Sequence, residues 1–215
     1  MSDFKINPRN KVIRVPKRAH YDKETVYKVL DGASICHVSF VQNDKPFSIP
    51  TIYGRKNDDI FIHGATVSRL IKNLQQGIDL CLSVAMVDGL VLARSAFHHS
   101  MNYRSAVIFG KATLLENDDE KTHALKVISE HVIKDRWDEV REPNKKELKA
   151  TSVLKIEIED ASAKIRTGGP IDDKEDYELN IWAGVVPMKT VFDSPFEDEE
   201  SLKSYPVPKS VKSLF

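Results

Sequence analysis

The sequence has few cysteines, no long hydrophobic run and no excess of charge of either sign. Its two cysteines, Cys36 and Cys81, each lie in an apolar run, which indicates buried free thiols in a reducing compartment. No apolar run approaches the ~20 residues that span a bilayer. The N-terminus lacks the apolar core of a signal peptide. We therefore expect a soluble cytoplasmic protein with no membrane partner.

Charges and motifs exclude several function classes. The 32 lysines and arginines balance the 32 aspartates and glutamates, which argues against a generic nucleic-acid binder. There is no Gly-x-Ser-x-Gly for a serine hydrolase and no Rossmann fingerprint after the first strand. The Cys-x-x-Cys and His-x-x-x-His spacings of metal sites are also missing. We expect no nucleic-acid partner and no metal.

What the sequence does contain is a series of short strand-like runs. Seven segments have strand character: Ile35–Val41, Pro46–Tyr53, Ile60–Gly64, Leu80–Val87, Leu90–Phe97, Ala106–Leu115 and Val153–Glu159. Residues 42–45 predict a hairpin turn, and Asp88-Gly89 predicts a second one. Helical spacing predicts three helices: one capped by Asp22 and ended by Gly32, one over Thr66–Gln76, and one over roughly residues 119–138.

These elements predict a β-rich α+β protein built on an antiparallel barrel, with a few flanking helices. Residues 1–20 form a basic, irregular arm that is either loose or strapped across the fold. Residues 21–190 form the domain. Residues 191–215 are polar and contain proline, which indicates a C-terminal tail.

The densest group of polar side chains lies in residues 94–110, between two strand-like runs. It includes the adjacent His98 and His99, followed by Arg104 and Ser105. So many hydrogen-bond donors beside strands indicate a pocket for a polar or anionic ligand, although structural hydrogen bonding within a long loop would use the same residues. On a strand, the two histidines would point to opposite faces, so at most one would face a given pocket.

A second candidate site lies at the predicted junction of a strand and a helix. His63 and Gly64 end the strand, and Ser68 and Arg69 fall in the first turns of the helix. Free N–H groups at a helix start favour anions, and an arginine there can bind a phosphate through two hydrogen bonds. This pattern predicts a phosphate site, although an ordinary helix start with a surface arginine would have the same sequence.

A proline inside the second predicted strand is the third candidate. Pro50 removes one donor from the ladder, which leaves neighbouring backbone groups free for a planar ligand. An edge strand would tolerate the same proline without any ligand.

Together these segments resemble a known family, the pyridoxamine 5′-phosphate oxidase-related flavoproteins with the FMN-binding split-barrel fold. More narrowly, they are similar to the flavin-nucleotide-binding branch related to nitroimidazole-resistance proteins. The resemblance covers roughly residues 12 to 190. It rests on these segments: Arg18–Asp22, Ile35–Val38, Ile49–Tyr53, His63–Arg69, Asp88–Ser105, Arg166–Pro170 and Trp182–Pro187.

The resemblance implies a homodimer that binds FMN at the subunit interface. By position, ten residues of this chain match cofactor-binding positions: Ile49, Pro50 and Thr51 along the flavin ring, His63 and Gly64 on the next strand, Ser68 and Arg69 at the phosphate, Arg104 and Ser105 completing the site, and Trp182 contributed by the partner subunit.

For activity, the resemblance implies a flavin-dependent oxidoreductase of unknown substrate. His98 or His99 is the candidate proton donor, because histidine titrates near neutral pH. The arginine-rich C-terminal clamp of true pyridoxamine-phosphate oxidases is missing, since no arginine follows Trp182; this argues against vitamin B6 oxidation. A non-catalytic flavin-binding or stress protein, and a haem- or deazaflavin-binding split barrel, remain as alternatives.

Overall fold

The structure, a computed structural model, describes residues 3–215 and contains ten strands and five helices. The strands are β1 (Ala19–His20), β2 (Ile35–Gln42), β3 (Lys45–Ile52), β4 (Gly54–Lys56), β5 (Asp59–Ala65), β6 (Asp79–Leu92), β7 (Ser100–Leu115), β8 (Thr151–Glu157), β9 (Asp160–Arg166) and β10 (Gly184–Pro187). The helices are α1 (Lys23–Asp31), α2 (Arg69–Leu74), α3 (Asp118–Val132), α4 (Lys145–Ala150) and α5 (Lys209–Lys212).

All strand pairs are antiparallel, and the main path through the sheet runs β3-β2-β6-β7-β8-β5-β4. The long strand β7 pairs with β9 along Tyr103–Phe109 and with β8 along Ala112–Leu115, so the sheet divides at Gly110. The ends of the path, β3 and β4, do not pair within residues 3–215. The predicted antiparallel split barrel is therefore confirmed.

Local signals placed the first helix and the first hairpin correctly. The Asp22 side chain accepts a hydrogen bond from Thr25 N at 2.8 Å, and Gly32 ends α1. Strands β2 and β3 pair in register around Asn43 and Asp44. Both turn residues have positive φ, 50° and 58°, as a two-residue hairpin that follows the twist of its strands requires.

The hairpin predicted at Asp88-Gly89 is wrong. Both residues lie inside β6, where the register against β7 shifts between Val87 and Gly89 as a bulge. The strands do not turn back there because β7 supplies a partner on one side and β10 on the other. The real turn is the segment of residues 93–99 between β6 and β7, which carries both candidate histidines.

The helices differ from prediction in their ends. The second helix begins at Arg69 rather than Thr66, because Ser68 is its cap and accepts a hydrogen bond from Ile71 N at 3.2 Å. The third helix spans Asp118–Val132 and is shorter than the predicted 119–138 at its C-terminal end.

The barrel interior is one apolar cluster that includes the fully buried Tyr53, Ile62, Leu82 and Ile108. A smaller cluster lies on the outside of the barrel, where α3 covers β4, β5 and β8. It contains Phe61, Ala124, Ile128 and Val153. Successive residues of β5 therefore serve both clusters, and this alternation places His63 on the outer side, towards α3.

Both chain ends pack against the domain. Phe4 lies in the core, and Asn10, which is 2% exposed, donates to Lys5 O and Ala161 O. The N-terminal segment therefore straps across the fold. At the other end, Ser210 donates to Glu139 and anchors α5.

Cys36 and Cys81 are free thiols, buried and half-buried. Burial raises the pKa of the Cys36 thiol to about 12 and also raises that of Cys81. Among residues 3–215, no helix is long and apolar enough to cross a membrane.

Candidate functional site

The predicted phosphate site lies where β5 leads into α2. Gly64 approaches this turn closely, since a Cβ there would lie 3.2 Å from Ile71 Cγ1 and 3.5 Å from Ser68 Oγ. The Ser68 oxygen caps the helix, so its hydroxyl hydrogen is still available to a ligand. Arg69 is exposed and forms no ion pair with any residue from 3 to 215.

Arg69 connects this turn to the strand that carries Pro50. Its guanidinium lies over the Phe47 ring of β3, 4.6 Å from the centroid. Such a contact holds an arginine at the surface without neutralising its charge. The structure thus brings the predicted phosphate anchor against the predicted ring-binding strand, although they are about 20 residues apart in sequence.

Strand β3 lies at one end of the sheet path, which satisfies the edge-strand explanation of Pro50. Ile49 packs towards the core, so only its backbone is available to a ligand on the outer side. Pro50 points outwards and is exposed, whereas Thr51 is half-buried and its hydroxyl donates to Ile52 O.

Three predicted site residues, Pro50, Arg104 and Ser105, line one open groove of about 1130 Å³ on the outer face of the sheet. His37 also lies in this groove, directly opposite Pro50 in the register of β2 and β3. Sequence reasoning missed His37; the signal that could have found it is its position across the hairpin from Pro50.

Arg104 does not offer a free charge to the groove. Its Nε and Nη2 both bind the Asp88 carboxylate, at distances down to 2.7 Å. The hydrogen bonds from Arg104 lower the pKa of Asp88. Ser105 Oγ is also engaged, as it donates to Lys164 O at 3.2 Å. The bulge in β6 places Asp88 beside Arg104.

His63 lies in a different groove, of about 360 Å³, between β5 and α3. Its walls are mostly apolar and include Ile52, Ile128, Val132 and Trp137. Burial lowers the pKa of His63, so the imidazole is neutral at pH 7. Its Nδ1 is buried and has no hydrogen-bond partner in the described part of the chain. A neutral imidazole that lines an apolar groove is suited to ligate a metal or a metal-containing ring.

The structure does not place His98 and His99 on a strand. His98 ends a 3₁₀ turn and His99 follows it, in the segment between β6 and β7. His99 Nδ1 accepts from Ala93 N at 3.0 Å. Through the register of β3, β2, β6 and β7, Pro50 lies level with Val107. Val107 comes eight residues after His99, which is roughly 27 Å along the strand direction. Within one chain, the proton-donor candidates therefore lie far from the ring-binding strand.

His98 has acidic neighbours. Its Nε2 lies 3.3 Å from Asp173 Oδ2, and Asp176 completes a group whose ligand atoms all lie within 4.8 Å of one another. No local pattern indicates this group, because His98 lies some 75 residues before the two aspartates in the sequence.

Trp182 is exposed, immediately before β10. The segment leading to it is held by Asp172, whose side chain is fully buried. Asp172 accepts from the backbone N–H groups of Arg94 and Ser95 and from the Arg94 guanidinium. The Arg94 guanidinium also lies 4.8 Å from the Tyr177 ring centroid. This pair positions the segment that leads to Trp182, and sequence analysis missed Asp172.

The hold on this segment is expected to weaken in acid. Burial alone would raise the pKa of Asp172, but hydrogen bonds from Ser95 and Arg94 outweigh it and the pKa falls below its usual 3.8. A lowered carboxyl pKa stabilises the fold above pH 3.8, and that stabilisation is lost as the pH falls through the folded pKa. The protection factors of residues 171–182 against hydrogen–deuterium exchange, which compare the observed rate with the intrinsic rate at the same pH, should therefore fall below that pH.

The variant Asp172→Asn removes the charge at every pH. At neutral pH, the protection factors of residues 171–182 should already be as low in this variant as in the acidified wild type. Glu175→Gln removes an exposed carboxylate of the same segment that forms no ion pair with residues 3–215; it serves as the control and should leave the exchange unchanged. Equal protection in both variants would show that Asp172 does not hold the segment.

Comparison with known families matches residues 22–165 to the family described as pyridoxamine 5′-phosphate oxidase. That match covers more than half of the chain and includes β2 to β8. The chain belongs to the pyridoxamine 5′-phosphate oxidase family. The resemblance drawn from the sequence is confirmed. A search of curated proteins found no match.

Among solved structures, this family member is similar to the flavocytochrome Anf3 from Azotobacter vinelandii, with 37% identity, a TM-score of 0.90 and 97% of each chain covered. It is also similar to the FAD and heme binding protein from Mycobacterium smegmatis, with 34% identity, a TM-score of 0.87, and 92% of this chain and 97% of that one covered. A proposed 5-nitroimidazole antibiotic resistance protein from Bacteroides thetaiotaomicron shares the fold, at 24% identity and a TM-score of 0.59, over 68% of this chain and 86% of that one.

Proposed function

We propose that this chain binds a flavin and acts as a homodimer with the flavin at the subunit interface, as an oxidoreductase of unknown substrate. The observation that carries the proposal is the contact of Arg69 with Phe47. It places an uncompensated, exposed cation beside the strand of Ile49, Pro50 and Thr51. A phosphate and a planar ring of one ligand need these two features side by side.

Ser68 and Arg69 would hold the flavin phosphate, through a hydroxyl and a guanidinium. Both FMN and FAD carry this phosphate, so the anchor accommodates either. The sequence favours FMN, whereas the names of two relatives more than 30% identical to this chain include FAD or a flavocytochrome. Titration with each flavin decides between them.

The homodimer is supported by an uncovered face of the sheet. Apolar side chains on the outer side of β2, β3 and β6 stay exposed, among them Ile35, Ile52 and Val87. Contiguous apolar surface of this kind marks an interaction site. The groove of Pro50 and Arg104 opens on the same face, so a second copy would cover it.

A bound flavin supplies hydride or electron transfer; the protein supplies binding, orientation and the exclusion of water. His98 and His99 are too distant from Pro50 in their own chain to donate a proton there. Their predicted role, and that of Trp182, requires that the partner subunit bring these residues to the site.

The proposal is tested by the visible spectrum of the purified protein and by its reduction. Oxidised flavin should be visible, and anaerobic mixing with NADH or NADPH in a stopped-flow instrument should bleach it. The non-catalytic flavin-binding alternative would be favoured if neither NADH nor NADPH reduces the flavin and if flavin reduced by dithionite passes electrons to none of the acceptors tested.

Haem binding is the second candidate, and His63 favours it. The imidazole of His63 would hold the haem iron, the apolar walls of the groove would contact the porphyrin, and the nearby Arg136 would pair with a haem carboxylate. Two relatives are a flavocytochrome and an FAD and heme binding protein by name.

A haem titration tests this candidate independently of activity. Wild-type protein should develop a sharp Soret band at one haem per chain, and His63→Ala should lose it. His123→Ala is the matched control, because His123 lies at the exposed side of α3 and outside this groove. A Soret band unaltered in His63→Ala would remove His63 as the ligand.

A further inference from the structure

A stretch near the C-terminus combines negative charge with exposed apolar side chains. We call residues 191–202 the acidic loop; it contains five carboxylates and no lysine or arginine. Every one of these residues is exposed. Its apolar members are Val191, Phe192, Phe196 and Leu202, and the last two are 96% and 100% exposed.

The acidic loop is held at both ends, and near its start Phe192 lines the groove of Pro50 and Arg104. On one side, Met188 N donates to Asp88 O, next to β10. On the other side, Ser210 in α5 binds Glu139. About twenty residues separate these anchors, so the loop can reach roughly 30 Å from them. Its carboxylates form no ion pair with residues 3–215.

The N-terminal segment carries the opposite charge. We call residues 11–18 the basic arm; it holds Lys11, Arg14, Lys17 and Arg18 and no carboxylate. Within the described chain, these four cations form no ion pair, unlike Arg9, which binds Glu159 and Asp160. An open groove of about 770 Å³ lies along the arm, lined by Ile6, Val12, Ile13 and Pro16 among others. Ile13 is 85% exposed.

We propose that the acidic loop of one copy docks on the basic arm of a second copy, with its aromatic side chains in the groove along that arm. The two surfaces match in charge, four cations against five carboxylates, and each offers apolar side chains that its own chain leaves uncovered. Steering by opposite charge and burial of apolar area together define a specific contact.

The identity of the occupant follows from both surfaces being on the same chain. A nucleic acid would be drawn to the arm but repelled by the loop, and the chain carries no net charge. A second copy satisfies both surfaces at once, twice per symmetric dimer. This inference rests on the proposed homodimer and adds a contact between the acidic loop of each subunit and the basic arm of the other.

Charge reversal tests the contact. One variant carries Glu199→Lys and Glu200→Lys in the loop; a second carries Lys11→Glu and Arg14→Glu in the arm. Each alone should raise the dimer dissociation constant about tenfold or more in analytical ultracentrifugation, and added salt should weaken the wild-type dimer. Lys145→Glu with Lys146→Glu, an equal reversal on exposed residues of α4, is the control and should leave the constant unchanged.

Mixing the two variants separates docking between chains from docking within one. A heterodimer of loop-reversed and arm-reversed chains keeps wild-type residues on both sides of one contact, whereas each variant homodimer keeps them at neither, so mixing should give a heterodimer tighter than either homodimer. Failure of mixing to tighten association, or dimers unaffected by either reversal, would overturn the inference while leaving the homodimer standing. A wild-type chain that stays monomeric at all concentrations would instead remove the proposed homodimer itself.

Discussion

Replacing Gly54 with alanine is expected to lower the free energy of unfolding by about 3 kcal/mol. A Cβ at this position would lie 2.6 Å from Val127 O and 2.7 Å from both N and Cα of Ile128. These atoms belong to the backbone of α3, so no side-chain rotation relieves the clash. The helix must move away from β4, and the small cluster of Phe61, Ala124 and Ile128 loses its packing.

Urea denaturation of Gly54→Ala measures this effect. Gly169→Ala is the matched control, because a Cβ there has no neighbour within 4 Å and its stability should change by less than about 0.5 kcal/mol. A moved α3 also alters the groove of His63, which Ile128 and Val132 line. Wild-type stability in Gly54→Ala would mean that α3 does not pack on β4 as described.

Arg69→Ala is expected to weaken flavin binding by about 1.5–3 kcal/mol, which is roughly 10- to 150-fold in the dissociation constant. The reason is the loss of charge-assisted hydrogen bonds to the phosphate. Arg69 has no intrachain ion pair among residues 3–215, so its removal exposes no buried partner and the fold should remain intact. Calorimetric titration with FMN measures the change.

Two further variants separate phosphate binding from general charge. Lys72→Ala removes an exposed cation from the same helix and should leave the affinity unchanged. Arg69→Lys keeps the charge but loses the paired donors and the flat contact with Phe47, so its affinity should fall between those of wild type and Arg69→Ala. If Arg69→Ala binds FMN as tightly as wild type, Arg69 is not part of the site.

The elements that sequence predicted correctly depend on local chemistry. The turn at Asn43 and Asp44 and the caps at Asp22 and Gly32 act within a few residues, so their signals are complete in the sequence. Asp88-Gly89 carries an equally strong local hairpin signal, but pairing of β6 with β7 and β10 overrides it. Which strand lies beside which depends on distant segments, and no local pattern contains that information.

The same division applies to the site. Ser68 and Arg69 could be proposed from sequence because a helix start has a local pattern. The Arg69–Phe47 contact, the Asp88–Arg104 ion pair and the burial of Asp172 each join residues that are 16 to 78 positions apart. The family resemblance indicated His63, but the apolar groove beside it forms only when α3 packs on β5, so no local pattern indicates the groove.

Native mass spectrometry of the full chain, incubated with FMN and separately with FAD, tests the central claim most directly. The account predicts a dimer that carries two flavins, one for each Arg69 site, and a lower flavin occupancy in Arg69→Ala. A folded chain that retains neither flavin as a dimer would contradict it.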